Sequence, residues 1–218
     1  MNTQIDITRN GKTTLATAGK YCDRNIDVNV DVLSDFVQGT MAGEYVSDKV
    51  TSLKMAAFAQ CKDLRSVSLP NCVSFSAFRT FFGCSNIRTL NLPKLETIVD
   101  GTNTFGQMGK LQEISLPALV SVSAFSAMFD NCWELKKVNL PKLSGVTIGA
   151  NSFKGCNALH TLILGGSVLN PLGNTNAFSG VGSTLKIYVP DHLVNSYKTD
   201  TSWIAYADKI KPMSELEG

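Results

Sequence analysis

The line Phe129-Asp-Asn-Cys132-Trp-Glu-Leu135-Lys-Lys-Val138-Asn-Leu140-Pro141 decides the fold, because it returns at a nearly fixed interval. It recurs without gaps as Phe58-Ala-Gln-Cys61-Lys-Asp-Leu64-Arg-Ser-Val67-Ser-Leu69-Pro70 and as Phe81-Phe-Gly-Cys84-Ser-Asn-Ile87-Arg-Thr-Leu90-Asn-Leu92-Pro93. A further copy is Phe105-Gly-Gln-Met108-Gly-Lys-Leu111-Gln-Glu-Ile114-Ser-Leu116-Pro117. The copy from Phe153 keeps Cys156, Leu159, Leu162 and Leu164 but has Gly165 in place of proline. The last, from Phe178, ends Ile187-Tyr-Val189-Pro190. The phenylalanines step by 23, 24, 24, 24 and 25 residues.

A period of this length means a coil that cannot bury its own apolar face, so neighbouring coils must stack. The Val138-x-Leu140 pair has the period of a strand and places both side chains inward. The proline after it removes a backbone donor and ends the strand. Leu95, Leu119 and Leu143 turn inward again before the next phenylalanine opens a new coil. Successive strands are then expected about 4.8 Å apart in a parallel sheet, with equivalent residues stacked in columns. The fold class is an α/β-type repeat solenoid of short parallel strands, loops and short helical turns.

Outward from the repeat, residues 57–189 form the solenoid. Ile5, Ile7, Ile26, Val28, Val30 and Val32 alternate with polar residues, which predicts a β-rich leader over 1–32 with a turn at Asn10-Gly11. Residues 33–56, with Gly39 and Gly43, suit a linker and N-terminal cap. Residues 190–218 suit a helical C-terminal cap. Leu193, Val194 and Tyr197 have helical spacing after Pro190-Asp191, and Ser202 is placed to cap a second helix through Ile210. Exposed solenoid ends need such covers.

The pattern F-x-x-C-x-x-L-x-x-[VIL]-x-L-P resembles the BspA-type branch of the leucine-rich repeat family over about residues 46–190, beginning with the half-repeat Val50-Thr-Ser-Leu53-Lys-Met-Ala-Ala57. Residues 187–210, with Tyr197, Trp203 and Tyr206, resemble the C-terminal cap of such arrays. Residues 10–32 resemble the N-terminal segment of tail-associated proteins from phages and prophages of gut Firmicutes. The resemblance implies a leucine-rich repeat fold and a recognition module without catalysis. It implies a protein or glycan partner on a host or bacterial surface, with residues 1–32 joining other tail proteins. The implied location is the virion, after synthesis in the cytoplasm, with a bacterial cell-surface adhesin as the alternative.

Composition agrees with a packed, non-nucleic-acid protein. The 218 residues are 44% hydrophobic and 17% charged, enough apolar material for a core. Lys plus Arg is 20 and Asp plus Glu 18, a balance of +2, far from the basic excess of nucleic-acid binders. The N-terminus Met1-Asn2-Thr3-Gln4-Ile5-Asp6 lacks the basic and apolar regions of a signal peptide. The longest apolar runs fall far short of the ~20 residues of a membrane span, so no membrane insertion is expected. The six cysteines include no C-x-x-C pair, and reduced thiols are expected.

Motifs that carry chemistry are incomplete. Gly11-Lys12-Thr13 resembles the end of a phosphate loop, but Asp6 stands where its first glycine belongs. Asp27-x-Asn29-x-Asp31 echoes a calcium loop, but Val32 replaces the required glycine. His160 and His192 have no zinc-helix partner and read as surface residues. Cys61, Cys84, Cys132 and Cys156 share one column with Met108, which favours a buried column over redox pairing of Cys61 with Cys84 or Cys132 with Cys156. Phe75, Phe78, Phe82, Phe125 and Trp133 lie off the main phenylalanine column, Trp133 being the one expected at the surface. No catalytic set, metal site or cofactor is expected.

What remains is the outward face of the sheet, where leucine-rich arrays commonly hold partners. Its expected partner-binding residues are Thr89, Asn91, Glu113, Ser115, Lys137, Asn139, Thr161, Lys186 and Tyr188. Ser66, Ser68 and Ile163 complete the rows. These rows are short and polar and carry few large anchors.

Overall fold

Alternating inward aliphatic and outward polar residues place one short strand in each coil, and those strands pair side by side. The computed structural model describes the backbone of residues 4–7, 12–16, 25–29 and 32–33, and residues 42–216. Strands Ala42–Val46, Asp63–Ser68 and Thr89–Asn91 form one parallel run. Strands Glu113–Ser115, Lys137–Leu140, Thr161–Leu164, Lys186–Val189 and Ile210–Pro212 form the next. Equivalent residues stand beside one another: Ser66 beside Thr89, and Glu113, Lys137, Thr161 and Lys186 in line. Strand pairing stops between Asn91 and Glu113, so this wall is in two blocks.

Each coil has two further walls. After the proline turn the chain makes a second, shorter parallel ladder through Ser52–Leu53, Ser74–Phe75, Thr97–Ile98 and Ser121–Val122. Bridges from Phe125 to Ile148 to Leu172 extend it. The third wall has no strands but is bonded just as regularly. Phe58, Phe81, Phe105, Phe129 and Phe153 each donate their N–H to the next coil, at 2.7–2.9 Å.

That third wall depends on left-handed residues. Ala56, Arg79, Asn103, Ala127 and Asn151, each two places before a column phenylalanine, have φ between 47° and 58°. Two places after it stand Gln60, Gln107 and Asn131 at 57–61°, and Gly83, Gly155 and Gly180 at 71–82°. Left-handed backbone costs an L-residue about 1–2 kcal/mol. Here it turns alternate N–H groups toward the following coil: Gln60 to Phe82, Gln107 to Asp130 and Asn131 to Lys154, each at 2.7 Å. The hydrogen bonds between coils offset the strain.

Inside the walls runs an aromatic spine. Phe58, Phe81, Phe105, Phe129, Phe153 and Phe178 stack with centroids 5.0–6.0 Å apart and planes within 14°. Tyr45 meets one end of it edge-on at 5.2 Å, and Trp203 meets the other at 6.0 Å. The leucine columns fill the remaining interior. Phe75 and Phe125 are buried beside the spine.

At the N-terminal end, Gln4–Ile7, Lys12–Ala16 and Asn25–Asn29 pair antiparallel, and Asn25–Asn29 pairs with Val32–Leu33. Val32–Leu33 then joins Ser52–Leu53 in parallel, handing the leader onto the second ladder. The turn expected at Asn10-Gly11 lies outside the described residues, as do Cys22, Val30 and Asp31. Within the segment 33–56, Ala42–Val46 already pairs with the first repeat strand, and Tyr45 is buried.

The C-terminal segment holds a 3₁₀ turn at Asp191–Leu193, an α-helix at Val194–Thr199, a 3₁₀ helix at Ile204–Lys209 and the last parallel strand. Ser202 does not cap a helix as expected; its hydroxyl accepts the Leu172 N–H at 3.1 Å and donates to Asp200. The cap is fastened at buried Asn170. Its N–H donates to the Tyr197 hydroxyl at 2.8 Å, its carbonyl accepts the Trp203 indole N–H at 2.8 Å, and its side chain bonds Leu143 and Val146. Asn170→Leu should strand the Leu143 carbonyl and Val146 N–H, costing about 2 kcal/mol. Amide exchange within 194–210 should rise more than within the central coils; a uniform change would contradict this anchoring role.

Candidate recognition surface

The strand alternation that buries Val67, Leu90, Ile114 and Val138 forces their neighbours outward. Thr89, Asn91, Glu113 and Ser115 are exposed, Lys137, Asn139 and Thr161 are half-buried, and Lys186 is exposed. Register places them in two rows. One reads Ser66, Thr89 in the first block and Glu113, Lys137, Thr161, Lys186 in the second. The other reads Ser68, Asn91 and then Ser115, Asn139, Ile163, Tyr188. Asn91 Nδ2 donates to Ser68 Oγ at 2.8 Å, and Asn139 Nδ2 to Ser115 Oγ at 3.0 Å. These bonds across coils hold the side chains in fixed positions.

Tyr188 departs from the outward reading. It is only 7% exposed and Ile163 only 4%. The chain returns after the helices to add Ile210–Pro212 beside Lys186–Val189, with Lys211 against Tyr188. The row is therefore closed at its C-terminal end, and the open part of the face runs from Ser66 to Lys186.

The structure adds a flank that the sequence reading left aside. Where the chain enters each strand stand Arg65, Arg88, Gln112, Lys136 and His160, all exposed. Lys136 Nζ donates to Gln112 Oε1 at 3.3 Å. One row further out, Lys110 Nζ bonds Glu134 Oε1, and this hydrogen bond holds the Glu134 carboxyl below its ordinary range. Trp133 beside it is 54% exposed. The signal for this flank was available as the recurrence of Arg or Lys four places after the column cysteine.

The cysteine column has a hydrogen-bonding role. The thiols of Cys84, Cys132 and Cys156 donate to the carbonyls of Phe58, Phe105 and Phe129 in the preceding coil, at 2.8–3.0 Å. Cys61, Cys72, Cys84, Cys132 and Cys156 are buried and form no disulfide with one another. Among the described residues no group of three or more His, Cys, Asp or Glu is arranged to hold a metal, and no helix is long and apolar enough to cross a membrane.

Burial also makes the fold sensitive to alkali. It pushes the Cys72 thiol from 9.0 up to about 12 and the Tyr45 hydroxyl from 10.0 up to about 12, and raises Cys84 and Cys132 as well. The folded chain keeps these protons where the unfolded chain releases them, so stability is full below the ordinary values and falls as pH rises through them. The urea midpoint should hold near neutrality and drop steadily between 9.0 and about 12. A midpoint constant over that range would show that the groups are not buried as described.

A family model described as a BspA type leucine rich repeat region, in six copies, matches residues 44–160 and 125–200. A leucine-rich repeat protein of T. pallidum aligns over 89% of this chain and 91% of its own, with 19% identity and a TM-score of 0.47. One from Bacteroides ovatus aligns over 88% of this chain and 47% of its own, with 21% identity and a TM-score of 0.47. No curated protein matches the sequence.

Proposed function

The chain belongs to the BspA-type leucine-rich repeat family, and from that premise we propose that it is a non-catalytic recognition module for a protein or glycan on a host or bacterial surface. The observation that carries this reading is the pair of outward rows set in register by strand pairing, one of them with its Ser and Asn side chains bonded between coils. Rows of short donors and acceptors at strand spacing suit an extended partner better than a small substrate.

The finer reading is a phage or prophage tail-associated protein. Residues 10–32 support it by their resemblance to tail proteins, and the leader pairs antiparallel, unlike the parallel coils it precedes. The second reading is a bacterial cell-surface adhesin, which rests on the likeness of the array to BspA-type repeats. Mass spectrometry of purified particles and surface proteolysis of intact cells separate the two: recovery in particles supports the tail, and shaving from cells supports the adhesin.

Recognition itself is tested with fluorescently labelled protein on intact bacterial cells. The combined Thr89→Ala, Asn91→Ala, Lys137→Ala and Asn139→Ala variant should lose about tenfold in cell binding. A wild-type protein that labels no cells would overturn the module reading.

A further inference from the structure

Trp133 combines exposure with rigidity. A Cβ built on Gly109 would lie 2.8 Å from both Cε3 and Cζ3 of the indole, so the ring rests on the glycine backbone of the preceding coil. The Cε3–Cζ3 side of the ring is held against protein while the residue stays 54% exposed. A ring held in place loses little freedom when a ligand covers it.

Its surroundings are polar. Lys110 and Glu134 are bonded in the adjoining row, Lys136 is bonded to Gln112, and Arg88 lies close enough to lower the Glu134 carboxyl further. The other large exposed apolar side chains, such as Phe78, Val99, Val120 and Val168, fall at other positions of the repeat. A protein anchor sits at the centre of a wide, well-packed contact whose surrounding residues exclude water, whereas this ring is a single large apolar group on its flank. A lone ring bordered by hydrogen-bonding side chains fits a sugar, whose C–H face meets the electron-rich indole while its hydroxyls meet the polar groups. The flank carries Lys62, Arg65, Arg88, Lys110 and Lys136 against Asp63 and Glu134, a surplus of positive charge.

We propose that Trp133, Arg88, Lys110, Glu134 and Lys136 form a subsite for an acidic glycan. A sugar ring stacks on the indole, a sugar hydroxyl donates a hydrogen bond to the Glu134 carboxylate, and Arg88 and Lys136 take the carboxylate or sulfate. This rests on the recognition-module reading and names the class of partner.

The test is binding of the full chain to immobilised hyaluronate, polysialic acid and heparin, with neutral dextran as control. The first two carry carboxylates; heparin adds sulfate. Wild type should bind at least one acidic glycan and not dextran, and titration should change the emission of Trp133, since Trp203 is buried. Trp133→Ala should weaken binding about tenfold, and Gly109→Val, which displaces the ring, should do likewise. Lys136→Gln should weaken it less and flatten its salt dependence. Trp133 is exposed and Gly109 is buried beneath its ring, so Trp133→Ala carries the test should Gly109→Val lower the melting temperature, and an unchanged melting temperature confirms the fold of each variant. Binding of Trp133→Ala and Gly109→Val at wild-type strength overturns the proposal, as does wild type binding none of the acidic glycans. Cell binding retained in either case leaves the module reading standing; its absence in wild type removes both.

Discussion

Cutting Phe129 back to alanine is expected to lower the free energy of unfolding by about 3–5 kcal/mol. The ring is fully buried, stacked 5.3 Å from Phe105 and 5.4 Å from Phe153, with Phe125 6.2 Å to one side. A hole there touches two interfaces between coils, and in a solenoid each coil is stable only through its neighbours. Urea unfolding followed by circular dichroism should show a much lower midpoint for Phe129→Ala and a smaller drop for Phe129→Leu. A loss below about 1 kcal/mol would mean that the spine is not the main source of cohesion.

Restoring the repeat's own proline at position 165 should also destabilise the protein, by about 3 kcal/mol or more. The Gly165 N–H donates to the Leu140 carbonyl at 3.0 Å, and that of Gly166 to Pro141 at 3.2 Å. A Cβ on Gly165 would fall 1.7 Å from the Pro141 oxygen, which no side-chain adjustment relieves because the obstacle is backbone. Proline adds the loss of the donor to that clash. Gly165→Ala isolates the steric part, and its melting temperature should fall between those of wild type and Gly165→Pro. A variant as stable as wild type would show that the glycine is a chance departure from the pattern.

The columns were legible because burial repeats in phase: Phe129, Cys132, Leu135, Val138 and Leu140 fall where a stacked coil must place them. Gly165 was visible only as an exception, since its meaning lies in the approach of Pro141 from another coil. The left-handed residues were hidden for a different reason. Ala56, Arg79 and Ala127 carry no turn signal, and their backbone is dictated by hydrogen bonds to the next coil. The second ladder was likewise missed, since two-residue strands such as Thr97–Ile98 show no alternation. On the face, Thr89 to Lys186 could be read from strand period alone. The burial of Tyr188 could not, because the strand that closes its row comes more than 20 residues later in the chain. The perch of Trp133 needed Gly109, 24 residues earlier, to be recognised as its floor.

Between Asn91 and Glu113 one wall is parted while the shorter ladder, through Thr97 and Ser121, and the phenylalanine wall run on unbroken. A bend at that lapse would cost no strand pairing, so any hinge between the two blocks is expected there before anywhere else in the array. Anything grasping Asn91 and Ser115 together must lock that angle, and its grip is weakened by any motion it stills.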